Sequence, residues 1–211
     1  PEYTLIEYAY HIMAQKAGIN MNECRIFTEN GRNHFMTRRF DRVNGRKIHM
    51  QTLGAIAHID YNIPALCSYE QAAGYMRRMD LSAKDIEQLY RRMAFNVLAV
   101  NQDDHVKNIS FLMDRSGSWK LAPAYDLTFS YDPANRWLSA HQMTVNGKTS
   151  DITAADITAA GKAMDISSQR CKRILEEVQQ AVKQWPDIAS DTKIREKTAM
   201  MINDHLNPVS D

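Results

Sequence analysis

Apolar residues recur every three to four positions over several long stretches of the chain, and alternate over a few short ones. Leu5, Tyr8, Ala9, Ile12 and Met13 share one face of a helical repeat, which predicts a helix over 2–17 stopped by Gly18. Two strand-like runs follow, 24–28 and 34–40, and the pair Asn30-Gly31 between them marks a hairpin turn. Asn44-Gly45 marks another turn within 41–46. A short helix is expected over 51–58 and a second over 70–79. Ser82 and Asp85 are spaced as a capping box, opening a longer helix to about Val100 whose inward face is Ile86, Leu89, Met93, Val97 and Val100. Runs at 109–113 and 119–121 flank a polar turn and read as a second hairpin. From 125 to 150 the pattern is irregular, apart from a strand expected at 143–145. Beyond 150 it is helical: 154–164, 168–185 and 188–206, with Pro186 separating the last two. The pattern predicts an α+β fold that is predominantly α-helical.

Composition narrows the class without naming it. The chain has 211 residues, 44% of them hydrophobic, enough for a sizeable core. A net charge of +1 gives no support for direct nucleic-acid or membrane binding. No apolar run approaches the roughly 18 residues of a membrane span, and the first residues are amphipathic, unlike a secretory leader. Cys24, Cys67 and Cys171 are odd in number, widely spaced and without a CxxC pair, so a reducing, cytoplasmic setting is expected. The seven histidines are scattered without HxxxH spacing and read as structural or exposed. A start at Pro1 reads as an excised or processed piece.

One place breaks the apolar pattern abruptly. The stretch FNVLAVNQDDHVKN, 95–108, ends a buried-looking helix in two aspartates, a histidine, a lysine and an asparagine. Protein kinases carry an aspartate five positions before an asparagine in the loop that follows a long buried helix. The aspartate handles the proton of the acceptor hydroxyl, and the asparagine oxygen binds magnesium. Asp103 and Asn108 have that spacing, and Asp104 misses it by one. A hairpin and then a second aspartate should follow, and 109–121 and Asp126 supply them. On this template Asp103 is the base or hydroxyl-orienting group. Asn108 and Asp126 are hard oxygen ligands for Mg²⁺. Lys107 either neutralises charge on the transferring phosphoryl group or is a solvated lysine. His105 braces the loop by hydrogen bonding, and Asp104 is a structural or exposed carboxylate.

The segments NQDDHVKNISFL, LAPAYDLTFS, RRFDR and MTVNGK resemble the HipA-type serine/threonine kinases of bacterial toxin–antitoxin systems, over most of the chain. The resemblance implies a kinase-like C-lobe using ATP and Mg²⁺, with Asp103 catalytic and Asn108 and Asp126 binding the metal. It places Arg38, Arg39 and Phe40 at the hinge near the adenine, although core burial would equally suit the Phe40 ring. Glu7 falls at the position of the family's acidic N-lobe residue, with a plain surface charge as the alternative. It further implies a protein substrate linked to translation, a helix-turn-helix antitoxin partner like HipB, and a role in persistence.

Two kinase parts are not found. No two of the eight glycines lie within three positions of each other, so there is no G-x-G loop, and no lysine precedes the first helix. The chain therefore reads as residues 1–40, an N-lobe remnant with the hinge, and 41–211, a helical C-lobe, together not expected to be active alone. Two rival readings stand beside it: a small-molecule phosphotransferase and a non-catalytic partner-binding remnant.

Overall fold

In the computed structural model residues 2–206 are described. The chain begins with helix α1 (Tyr3–Lys16), then strands β1 (Cys24–Glu29) and β2 (Arg32–Thr37). These pair antiparallel from Cys24↔Thr37 to Glu29↔Arg32. The turn between them puts Asn30 at φ 50 and Gly31 at φ 72, as the Asn-Gly pair predicts. The second strand starts and ends earlier than expected; one further bond, from the Arg38 amide to the Glu23 carbonyl at 2.9 Å, continues the pairing just past its end.

A two-residue hairpin, β3 (Arg42–Val43) and β4 (Arg46–Lys47), turns at Asn44-Gly45. Strand β5 (His49–Thr52) takes the first two residues of the segment expected to be helical, and helix α2 (Leu53–Ala57) takes most of the rest. Nothing local identifies β5: His-Met-Gln-Thr shows no alternation, and its partner lies some sixty residues onward. Helices α3 (Tyr69–Arg78) and α4 (Ala83–Leu98) each open on a complete capping box, at Ser68/Gln71 and Ser82/Asp85. Strands β6 (Ser110–Met113) and β7 (Trp119–Leu121) form the expected hairpin, and β5 completes a three-stranded antiparallel sheet in the order β5-β6-β7. The strand expected at 143–145 is only a pair of isolated bridges, Ser68↔Thr144 and Val145↔Lys148.

Four helices finish the described chain: α5 (Ala154–Ala163), α6 (Ser168–Val182), α7 (Trp185–Asp191) and α8 (Glu196–His205). Pro186 sits in the first turn of α7, where its missing N–H costs nothing, so it starts a helix here. The helix expected over 188–206 is two. Lys193 adopts φ 59, the Ile194 amide returns to the Ala189 carbonyl at 3.0 Å, and Ile194 is buried against the core. This is the helix-ending motif that glycine usually supplies, and lysine gave no warning of it.

The core joins the ends of the chain. Tyr10 of α1 packs edge-on to Phe95 of α4 and Trp185 of α7, and its hydroxyl donates to the Ala99 carbonyl at 2.6 Å. Glu2 accepts from the Arg195 amide and the Thr198 hydroxyl, tying α1 to α8. Gly161 lets α5 lie directly on α4 and α6: a Cβ there would come 2.7 Å from a Tyr90 ring carbon and closer still to Cys171 Sγ. The three cysteines are buried and unpaired.

Candidate active site

The long helix α4 delivers the chain to the loop that holds Asp103. Its end is strained. Val100 takes φ 53, a left-handed conformation that a β-branched residue rarely adopts, while the Asn101 amide closes back to the Asn96 carbonyl at 2.9 Å. Bonds to Ser130 on both sides, from its amide to Val100 and to its carbonyl from Gln102, hold the turn in place.

Asp103 and Asp104 are adjacent and unlike. The Asp104 side chain is 0% exposed, whereas that of Asp103 is 45% exposed. Asp104 accepts from the Tyr69 hydroxyl at 2.8 Å and the Gln142 amide at 2.7 Å, and pairs with His141 Nδ1 at 3.0 Å. Tyr69 accepts in turn from Asn96, and Asn96 from Asn101. Asp104 is thus the anchor of the loop. His105, expected to brace the loop through its side chain, does so only through its backbone carbonyl, which accepts the Asn108 amide at 2.9 Å. Its ring stands 3.8 Å from Asp103, beyond hydrogen-bond length, because Asp104 already satisfies the donors that fix the loop.

Asp103 keeps a free carboxyl. Burial raises its affinity for protons and the carboxylates of Asp126 and Asp104 add to this, against His105 and Lys107, which lower it. Asn108 Nδ2 donates to the Asp103 carbonyl at 2.9 Å, which fixes the six-residue turn and leaves Oδ1 as the atom of the amide open to a ligand. Asp126 is exposed and sits at φ 58, held between Tyr125 and Leu127. The Tyr125 hydroxyl donates to the Lys107 carbonyl at 2.5 Å and also meets the Ser110 hydroxyl, so the segment bearing Asp126 is laced to the segment bearing Asn108. Glu7 on α1 reaches the same field: burial, and then the Asp126 carboxylate, push it up to about 7. The Asp126 carboxylate therefore acts on Glu7 on one side and on Asp103 on the other.

Lys107 is not free in solvent. Its ammonium lies 3.4 Å from the centroid of the Tyr61 ring, and the same ring packs edge-on to His105 at 5.9 Å. In the segment expected to form a hinge, Arg39 is committed to Asp41 through two bonds of 2.8 and 2.7 Å, and Arg42 also pairs with Asp41. The Arg38 carbonyl accepts from Asn22. Phe40 is half-buried against Tyr125, ring centroids 5.6 Å apart. Tyr61, Tyr69, Asn96, Asn101 and His141 were not singled out from the sequence. For Asn96 there was a signal: an amide on the inward face of α4, between Met93 and Val97.

Among the described residues no group of three His, Cys, Asp or Glu side chains could hold a metal by itself. The donor set fits a cation shared with another ligand: one carboxylate and one amide oxygen, with a further carboxyl, Glu7, raised by burial and then by the Asp126 charge. No described helix is long and apolar enough to cross a membrane.

The family model described as HipA-like C-terminal domain matches residues 1–185. The chain belongs to this family. The HipA-type fold is also found in a solved structure, the HipA of a Shewanella oneidensis MR-1 complex of HipA, HipB and operator DNA, with a TM-score of 0.76 at 16% identity. The match covers 96% of this chain and 53% of that one, so the chain spans about half the length of that HipA. A weaker likeness, TM-score 0.49 at 11% identity over 96% of this chain and 89% of the other, is to the Helicobacter pylori proinflammatory kinase CtkA. No curated relative matches the chain in sequence.

Proposed function

We propose that this HipA-like domain is the catalytic lobe of a serine/threonine protein kinase that transfers a phosphoryl group from ATP to a protein hydroxyl. The observation that carries the reading is that Asp126 lies in the charge field of both Glu7 and Asp103, none of the three with a lysine or arginine ion pair among the described residues, while Asn108, tied to the Asp103 carbonyl, keeps its oxygen open. Asp103, half exposed and made more basic by burial, takes the proton of the acceptor hydroxyl as it attacks. Asn108 and Asp126 would hold Mg²⁺, which when bound draws charge from the phosphates. Lys107 leaves the face of Tyr61 to meet the transferring group. Phe40 and Tyr125 offer apolar ring surface to the adenine, and the backbone at Arg38 and Arg39 lies at the hinge beside it. In this assignment residues 1–40 contribute to the upper lobe, and Glu7 faces a cation supplied from that side.

In this proposal transfer also needs a glycine-rich phosphate loop, which these 211 residues do not contain. The acceptor is a protein, one of the translation apparatus on the family resemblance, and the partner a small HipB-like helix-turn-helix protein, with both meeting the domain in the cytoplasm and serving persistence. Transfer of radiolabelled phosphate should be measured with a polypeptide that joins this domain to a phosphate-covering upper lobe. Asp103→Asn should lower the rate by several orders of magnitude, and Asp126→Ala should abolish Mg²⁺-dependent ATP binding in calorimetry. Full activity in the Asp103 variant, or unchanged Mg-ATP affinity in the Asp126 variant, would refute the assignment.

A further inference from the structure

Behind the loop of Asp103 lies a cavity of about 20 Å³, lined by Arg92, Asn101, Asp104, His105, Asn108 and Tyr125, among others. That is room for a single water, whose centre needs roughly 10–15 Å³. Three of the lining side chains present buried polar atoms with no hydrogen-bond partner among the described residues: Nε and Nη1 of Arg92, Oδ1 of Asn101 and Nδ1 of His105. They come from different parts of the chain, the middle of α4, its end and the loop itself. Only Nη2 of Arg92 is engaged, donating to the Ala122 carbonyl at 2.7 Å.

The chemistry of these atoms selects the occupant. The Asp104 carboxylate only accepts, so Tyr69 must donate to it; Asn96 Nδ2 then donates to Tyr69, and Asn101 Nδ2 to Asn96. The direction of this chain leaves Asn101 with an acceptor facing the cavity. Arg92 presents only donors. A chloride could accept from Arg92 and could not donate to Asn101, and an apolar guest could do neither. Water does both.

We infer that one ordered water occupies this cavity, accepting from Arg92 and donating to Asn101 Oδ1 and His105 Nδ1, and that Arg92 thereby orients the water so that Nδ1 of His105 accepts and Nε2 carries the ring proton. The opposite edge of the ring agrees with this. Nε2 stands 3.8 Å from Asp103 Oδ1, where a proton is favoured by the carboxylate, while Nδ1 is the buried, unpartnered nitrogen of a ring that lines the same cavity as Arg92. Arg92 is then a positioning residue: it reaches Asp103 only through a water and a histidine. That role in catalysis rests on the proposed kinase reading; the water and the tautomer do not.

The test uses the 211-residue chain. Long-range ¹H–¹⁵N correlation spectra of ¹⁵N-histidine protein, with the His105 signals assigned by their loss in His105→Gln, should show a single Nε2–H tautomer. A crystal structure at high resolution should show one water within hydrogen-bond distance of Arg92, Asn101 Oδ1 and His105 Nδ1. In Arg92→Gln or Arg92→Lys, whichever folds as judged by its amide spectrum, His105 should shift to a mixture of tautomers. An Nδ1–H tautomer in the native chain, or a cavity without water, overturns the proposal, and an unaltered tautomer in a folded Arg92 variant removes Arg92 from it. None of these readouts needs phosphoryl transfer, so a failure of the kinase assignment would leave them unaffected.

Discussion

Asp156 at the start of α5 collects four donors: Lys148 Nζ and Thr153 Oγ1 at 2.7 Å, and Asn146 Nδ2 and the Thr153 amide at 2.9 Å. Glu7, Asp103 and Asp126 at the candidate site have no lysine or arginine ion pair among the described residues, and burial raises two of them, Glu7 to about 7 and Asp103 above its ordinary value. Asp156 is driven the other way, with the Lys148 ammonium as the largest cause. The same functional group thus serves the fold where its charge is met and is left short of partners where a ligand is to meet it. Charge left unpaired at a cleft costs stability and makes room for a cation, which is the pattern expected of a site. The segment MTVNGK belongs to the first kind: Asn146 and Lys148 latch α5 in place and take no part in the cleft.

The sharpest trial of this contrast lies within one pair of neighbours. Asp104→Ala should destabilise the domain by about 3 kcal/mol or more, since Tyr69, His141 and the Gln142 amide all lose a charged acceptor. Asp103→Asn should stay within roughly 0.5 kcal/mol of the parent or slightly exceed it in stability. Urea unfolding of the two variants would measure this, and equal losses would erase the distinction. Next in size is the latch. Asp156→Ala should cost about 1–2 kcal/mol through the lost helix cap and the lost ammonium bond. Because the folded-state affinity of Asp156 for protons is lowered, this contribution is complete above its ordinary value of 3.8 and disappears as the pH falls below it. Thermal unfolding of parent and variant should therefore converge in acid.

Glu7 gives the opposite slope. Its folded value near 7 exceeds the ordinary 4.5, so the native state holds the proton more tightly than the unfolded chain does. Its contribution to stability is complete below about 4.5 and is lost as the pH rises toward 7. Glu7→Gln should flatten that part of the stability profile, and a profile unchanged by the substitution would show that Glu7 is an ordinary surface acid. The smallest effect is expected at Tyr61. Tyr61→Ala should change stability by about 0.5 kcal/mol or less, the worth of an exposed cation–π contact. The side-chain protons of Lys107 should nevertheless lose the upfield ring-current shift that the contact at 3.4 Å imposes.

Much of the fold was legible because its signals are local. The hairpin at Asn30-Gly31, the capping box at Ser82 and the apolar face of α4 need only a few neighbouring residues to be recognised. What was missed depended on distant partners or on strain. Strand β5 exists because β6 is beside it, and the break after Asp191 exists because Lys193 accepts a backbone conformation that its side chain disfavours. Asp103, Asn108 and Asp126 are candidates by spacing, and Phe40 and Glu7 by resemblance. The partners of Asp104 were not found. Tyr69, Asn96 and His141 converge on it from three segments, and no spacing in the chain encodes that meeting.

The burial of Asp104 has a bearing on how such a domain changes over generations. What keeps the loop folded is one residue away from what is proposed to perform its chemistry, and the two share no partner. A lineage can lose Asp103 and still inherit an intact loop, an intact helix α4 and every surface a partner protein would grip. Loss of Asp104 would take the structure with it. On the proposed role of Asp103, descendants that keep the fold after discarding catalysis are within a single substitution of their ancestor, and they should be sought among chains that keep the second aspartate and vary the first.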